Sequence, residues 1–416
     1  MVPDEHHLEE MQSEQTVDDL VSSAFSGTPD ELIEVELKKQ FHPWHLPRKH
    51  YCRLLQWCKN TQQLQKELKL SKPTHARPLR YLTLPGDELL DIRQLSKVME
   101  KAGTKMQFLG FNTATSKQRS AESDLSFSEV RQLEGIFEKP SEIIQHQIER
   151  ITEENSTVRR KVLEHLPFDV INLDFTGSMT GQPPLSEASY FQVIRWLIEQ
   201  QCNKRREPWL LFLTAPFARN RTDGVTAKQL WGSVYSNTNN NEFADSLAET
   251  LNVSRHELPG EISGSAPLDD HRYNKSLGLA FGKWVLGLLT TRTDGWSVEL
   301  LDTKSYRVYG DIPDMYSMSF KFKCSDIQSV DATGLTLATG STKNPVSEPA
   351  IGLELIRSIS QTEDVDKLFD ENRELLREAT EFSADLLATA RYDPSDYKEW
   401  VQAEMERRQL VNLADR

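Results

Sequence analysis

Asp174 is the first residue whose type and position could do chemistry. It stands near the end of the apolar run Phe168-Asp169-Val170-Ile171-Asn172-Leu173-Asp174-Phe175, just before Thr176-Gly177-Ser178. A carboxylate ending a buried strand is costly unless it has a ligand or a partner. Ligands of open α/β sheets bind at the carboxyl ends of strands. Asp174 is therefore the candidate catalytic residue, competing with a plain cap for a loop or helix. Asp87 and Asp91 follow an earlier strand, and Asp87 suits the N-cap of the next helix. A second kind of chemistry lies in residues 37–80, which hold eleven Lys/Arg and one acid, Glu67. Phe41, Trp44, Tyr51 and Trp57 are interleaved among the cations. Such groups could neutralise phosphates and stack bases. Arg48, Lys49, Arg53, Trp44, Trp57 and Lys59 are the candidate nucleic-acid contacts. The alternative is a helix whose aromatics pack on the main domain and whose cations pair with the acidic ends of the chain.

His42, His45, His50 and Cys52 lie close together, but their spacing fits no zinc pattern, and Pro43 and Pro47 restrict the geometry. No metal site is expected there. No Walker-type loop, G-x-S-x-G elbow or H-E-x-x-H motif is present.

The elements that must position these residues alternate in type. Arg48 to Leu68 reads as a helix entered through His42-Pro43-Trp44-His45-Leu46-Pro47. Strands are expected at Arg80–Leu84, Met106–Phe111, Phe168–Phe175 and Trp209–Thr214. Helices are expected at Leu89–Ala102, Ser126–Phe137, Ser141–His165, Tyr190–Cys202 and Tyr273–Thr291. An antiparallel pair, Trp296–Tyr309 and Tyr316–Cys324, follows, and residues 351–410 read as charged helices. Apolar strands divided by helices are the mark of a parallel sheet covered on both faces. The fold class is α/β, with a basic helical segment before the sheet domain and acidic helices after it.

The 416 residues carry a net charge of −14, which excludes a protein that coats polyanions through bulk charge. That charge is unevenly placed. Residues 1–36 hold eleven acids and no Lys or Arg, and residues 363–416 hold fifteen acids against eight bases. The expected organisation is an acidic flexible head (1–36), a basic helical segment (37–80), an α/β domain (81–325), a linker (326–350) and an acidic helical segment (351–416). Residues 259–267 read as a Gly-rich surface loop. Four irregularly spaced cysteines suggest a reducing cytoplasm rather than a disulfide framework. No run of about 18 apolar residues is present, so no membrane-spanning helix is expected.

This order of elements resembles the class I S-adenosylmethionine-dependent methyltransferases, whose Rossmann-like sheet ends in an antiparallel strand pair. The run Asn172-Leu173-Asp174-Phe175-Thr176-Gly177-Ser178 is similar to the D-x-D-P-[FY]-G-S motif of nucleic-acid methyltransferases, through Asp174, Gly177 and Ser178. Phe175 replaces the family's Pro. The segment His42 to Trp57 looks like the N-terminal helix of the bacterial three-Cys-motif partner proteins. The resemblance spans residues 40–325, and the family's third strand has no match between Asn112 and Leu166. It implies a cofactor, S-adenosylmethionine, near Leu84, Gly86, Asp87 and Asn112. The family's G-x-G turn is here Leu84-Pro85-Gly86-Asp87, and Asn112 stands where an acid binds ribose hydroxyls.

Two functions follow as expectations. One is a methyltransferase-like protein that binds nucleic acid and methylates it. The other is a catalytically inactive methyltransferase-fold subunit of a multiprotein complex, in the bacterial antiviral-defence setting the resemblance implies, with a protein partner on the acidic C-terminal helices. The acidic head could also fold back onto the basic segment and block it.

Overall fold

The computed structural model describes residues 37–72, 74, 76–113, 117–181, 189–258, 268–290, 292, 294–325 and 348–414. The acidic head, the Gly-rich loop 259–267 and most of the expected linker lie outside the described residues. Residues Lys39–Arg416 cluster as one compact unit.

The apolar strand runs do what their composition dictates: they form the interior of a mixed eight-stranded sheet in the order β3-β2-β1-β4-β5-β7-β6-β8. β1 is Leu79–Thr83, β2 Met106–Phe111, β3 Glu142–Ile144, β4 Val170–Asp174 and β5 Trp209–Pro216. These five run parallel. β7 (Met315–Cys324) is antiparallel both to β5 and to β6 (Trp296–Tyr306). β8 is the two-residue strand Glu363–Asp364, paired with Lys304 and Ser305.

Alternate residues of each strand enter opposite cores, as the two-residue period requires. Leu82, Leu109, Ile171, Leu173, Leu211 and Leu213 face one core. Helices α5 (Thr157–His165), α6 (Tyr190–Lys204), α7 (Gly224–Tyr235), α8 (Asn241–Leu251), α9 (Asp270–Thr290) and α10 (Glu348–Ser360) pack into it, joined by Tyr316, Met318, Phe320 and Phe322 of β7. Leu79, Tyr81, Phe108, Val170, Leu210 and Phe212 face the second core. It is covered by α2 (Lys59–Leu68), α3 (Leu90–Lys101) and α4 (Lys117–Arg131). Each such fully buried side chain contributes about 1.5–3 kcal/mol.

The basic segment is one continuous helix with a change of winding. Its first turn, α1 (Pro47–Cys52), passes into a π-helical stretch, Arg53–Cys58, and then into α2. The π turn lays Gln56 and Trp57 against β7. Gln56 Nε2 donates to the Ser317 carbonyl at 2.9 Å, Ser317 Oγ donates to Gln56 Oε1 at 2.6 Å, and Trp57 Nε1 donates to Ser317 Oγ at 3.2 Å. After β8 come α11 (Val365–Glu371), α12 (Arg373–Ala388) and α13 (Pro394–Ala414). The last two pack on the start of α3: Leu90 shares a core with Ala384, Leu387, Tyr392, Tyr397 and Val401.

Several expectations need correction. Ser141–His165 is not one helix. It holds β3, a 3-10 turn at Ile148–Thr152 and α5. A three-residue edge strand is too short to show alternation, so the periodicity of its neighbours hides it. The helix expected at Ser126–Phe137 lies earlier, at Lys117–Arg131. β8 has no signal in the sequence, for the same reason of length. No helix of the described residues is long and apolar enough to cross a membrane.

At the amino ends of the strands, Asp169 is fully buried and bonded by Arg77 Nη1 (2.7 Å), Arg77 Nη2 (2.8 Å) and the Arg80 backbone N–H (2.8 Å). Arg205 Nη2 adds a 2.7 Å contact. One cation of the basic segment, Arg77, is thus spent on holding β1 to β4.

Candidate functional site at the carboxyl edge of the sheet

In the parallel part of the sheet, strand order reverses between β1 and β4. The crevice outside the carboxyl ends of the strands at such a switch point is where open α/β sheets bind ligands. β1 brings Thr83 to it and β4 brings Asp174, so the fold places the candidate residue where the sequence located it.

Asp174 already has a partner. Lys49 Nζ donates to its Oδ1 at 2.5 Å. Lys49 is 5% exposed and its ammonium lies 5.2 Å from the Trp57 ring centroid and 5.9 Å from that of Tyr306. Burial lowers the Lys49 pKa from its ordinary value, and the charge of Asp174 opposes that shift. On the β1 side, Asp91 is buried and accepts hydrogen bonds from Thr83 Oγ1 (2.6 Å) and Tyr81 Oη (2.9 Å). Burial raises its pKa, while those two hydrogen bonds and the charge of Arg53 hold it down. Asn172 Nδ2 donates to Tyr81 Oη at 2.8 Å, which closes the chain of contacts from β1 to β4.

The turn after β1 is equally occupied. Asn112 Nδ2 donates to Asp87 Oδ1 at 3.0 Å. Asp87 therefore braces the end of β2 and does not cap the next helix. The N-cap residue of that helix is Leu89, in the left-handed region at φ 53°, with no side-chain cap hydrogen bond. A Cβ added at Gly86 would meet only Glu88 Oε2, at an ordinary 3.6 Å, so Gly86 marks no close approach of the protein's own atoms. Gly110 does: a Cβ there would lie 2.4 Å from Ile143 Cδ1 and 3.1 Å from Pro85 Cγ. Leu84 is half-buried. Glu88 is buried, accepts from Tyr392 Oη at 3.1 Å and lies 3.8 Å from His45 Nε2. Tyr397 Oη donates to the His45 carbonyl at 2.7 Å. Segments from both ends of the compact unit thus meet over the carboxyl end of β1.

The nucleic-acid candidates divide by exposure. Arg48, Lys49, Arg53 and Trp57 are all buried. Arg48 Nη1 donates to Asp366 Oδ1 at 2.5 Å, and Arg53 Nη1 donates to His50 Nδ1 at 2.8 Å. Trp57 stacks on Phe212 at 6.4 Å. Lys49 and Trp57 hold the helix to the sheet, Arg48 ties it to α11 and Arg53 braces it from within, and none of the four presents an outer face to a phosphate backbone. Trp44, under a stacked His42 at 4.4 Å, and Lys59 are exposed. Exposed with Lys59 are Lys66, Lys69 and Lys72. Gly177 and Ser178 form the turn after β4. A Cβ on Gly177 would lie 3.1 Å from Tyr190 Oη, and Ser178 Oγ accepts from the Thr180 backbone N–H at 3.3 Å.

A family model described as PP_RS20740-like matches residues 38–402. The chain belongs to that family. The matched span takes in the basic helix, the whole sheet and the C-terminal helices as far as Gln402, so the family shares the segments that meet at the carboxyl edge. No curated protein matches the chain.

The sequence did not single out Glu88, Arg307 or Arg408. Glu88 meets His45 and Tyr392, which are distant in the chain. Arg307 follows β6 and Arg408 lies in α13, and both come to the same edge as Arg48 through the tertiary fold alone.

Proposed function

We propose that this protein is a methyltransferase-type α/β subunit that binds a partner without transferring methyl groups. Supporting the fold part of the reading are the parallel order 3-2-1-4-5 and the reversed end pair of β7 and β6, the arrangement the sequence resemblance implies. The observation that carries the functional part is the Lys49–Asp174 pair at the switch point. In this reading the chain's own ammonium sits where a ligand of Asp174 would, and a buried pair is costly to part. In this reading Leu84, Gly86, Asp87 and Asn112 no longer serve as an S-adenosylmethionine set, which the Asn112–Asp87 hydrogen bond supports.

Calorimetry of the full chain with S-adenosylmethionine, and with its demethylated product, tests this directly. No heat at millimolar ligand is the expected result. Stoichiometric binding at micromolar concentrations would restore the alternative, a nucleic-acid methyltransferase. A partner co-purifying at fixed stoichiometry from the native host is the companion expectation. The exposed acids Glu374, Glu378, Glu381 and Asp385, which recur at helical spacing on α12, offer a protein partner a negative stripe.

A nucleic-acid partner is favoured by a separate observation, the exposed Lys59, Lys66, Lys69 and Lys72. If they contact phosphates, Lys59→Glu with Lys66→Glu weakens binding to single-stranded DNA or RNA in an anisotropy titration and lowers its salt slope. An unchanged slope removes nucleic acid from the proposal.

A further inference from the structure

A cleft of about 220 Å³ opens beside the end of β6. Three arginines from separate parts of the chain line it: Arg48 of α1, Arg307 just after β6, and Arg408 of α13. Arg407 stands at its exposed rim. The floor is apolar, with Val308, Phe369, Leu376 and Met405.

Asp311, Asp366 and Asp370 also line the cleft, yet several guanidinium nitrogens stay without an acceptor among the described residues. Asp366 is shared: Oδ1 accepts from Arg48 Nη1 at 2.5 Å, and Oδ2 accepts from the Arg307 backbone N–H at 2.6 Å. The Arg307 Nε is 3.5 Å from that same Oδ2, with no hydrogen bond made. Arg307 Nη2 reaches Asp370 at 3.4 Å. Glu404 is taken up by Arg407 and lies 3.9 Å from Arg408 Nε. Arg48 Nε and Nη2, Arg307 Nε and Arg408 Nε are buried with no hydrogen-bond partner among the described residues. Arg48 lines the cleft at 4% exposure, and its two unpaired nitrogens are shielded from solvent. Leaving such groups unpaired is unfavourable. Burial, then the charge of Arg48, lowers the Arg408 pKa to about 10, with Asp366 and Glu404 opposing.

We propose that this cleft is an anion site that takes a phosphomonoester group, held by Arg48, Arg307 and Arg408. Several oxygens on one centre match several unpaired N–H groups, and guanidinium geometry suits phosphate. The volume is below the roughly 300–1,000 Å³ of sites that enclose a whole drug-sized ligand. The head group is therefore what the cleft encloses, and the remainder of the ligand lies along the apolar floor or outside. The site does not rest on the absence of methyl transfer, nor on the lysines of α2. It also gives buried Arg48 a phosphate role distinct from an exposed backbone contact.

The test is calorimetry and thermal unfolding of the full chain with three probes: inorganic phosphate, adenosine monophosphate and a 5′-phosphorylated oligonucleotide. At least one should bind one-to-one and raise Tm. Arg307→Gln and Arg408→Gln, each checked for native circular dichroism, should weaken that binding roughly tenfold or more, equivalent to about 1.4 kcal/mol. Arg195→Gln, on the remote α6, should leave it unchanged. Binding by inorganic phosphate alone supports a free-anion site, and preference for the nucleotide or the oligonucleotide end identifies the source of the group. Absence of binding by all three probes, or an affinity unchanged in both cleft variants, overturns the proposal.

Discussion

The Lys49–Asp174 pair, on which the proposed function rests, makes a prediction about stability. Lys49→Met should leave Asp174 without its counter-charge, and Asp174→Asn should leave a buried ammonium. Each is expected to cost about 3–5 kcal/mol of unfolding free energy. The double variant should recover part of the loss, because it removes both charges together. A urea denaturation cycle measures this coupling, and additive losses would show that the two side chains do not act as a pair. Asp169 makes a comparable prediction for pH. Burial would raise its pKa, but the hydrogen bonds of Arg77 and the charge of Arg205 hold it below the ordinary value. A carboxyl depressed in the folded state stabilises above its unfolded pKa, about 3.9, and loses that contribution as pH falls through the folded value. Stability should therefore fall below about pH 4 in the natural chain and fall less steeply in Asp169→Asn, measured by urea midpoints across that range. Equal slopes would remove Asp169 as a source of the acid sensitivity. At this scale the sequence identifies the important acid but not its partner. Asp174 is legible from its place at a strand end. Lys49 lies 125 positions away, and its charge, not its burial, is what the sequence displays.

Among the elements, the π-helical stretch Arg53–Cys58 has the clearest consequence. A π turn carries an extra residue relative to an α-helix, so the residues before and after it keep different rotational settings. Here that setting lets Lys49 reach β4 while Gln56 and Trp57 meet Ser317. Deleting Leu55, which is exposed, should convert the stretch to α-helix and turn the two sets of contacts about 100° apart. Loss of the cooperative thermal transition, or a Tm lower by ten degrees or so, is expected, since about 1 kcal/mol shifts Tm by several degrees only in small domains and several contacts go together here. A Tm equal to that of the natural chain would show that the π turn is incidental. The longer strands are legible because buried apolar runs and the helices between them follow simple periods. β3 and β8 are not, because three and two residues are shorter than one period of evidence. The π turn is not, because a helix with one extra residue differs from an ordinary one only by a drift of its apolar face.

For the molecule as a whole, the basic segment, sheet and C-terminal helices are one body. Arg48 meets Asp366, Tyr397 meets His45, and Leu90 lies under Tyr392 and Val401. Removing residues 373–416 should therefore give a chain that aggregates or binds hydrophobic dyes, not a sheet domain that survives alone. Scanning calorimetry of the natural chain should show its described core melting as one transition, and a separately melting C-terminal part would contradict this. The uneven charge seen in the sequence has its counterpart here: three of the basic segment's eleven cations, Arg77, Lys49 and Arg48, pair inside the fold with Asp169, Asp174 and Asp366. The arginine cleft adds a consequence in time. Its three cationic walls come from positions 48, 307 and 408. Chains are synthesised from the amino end at about 5–20 residues per second. The sheet can be assembled once β8 has emerged, but Arg408 leaves the ribosome last of the three. The anion site is therefore absent from every shorter nascent chain and comes into being only with α13, so a ligand held there reports only on chains in which that helix has been made.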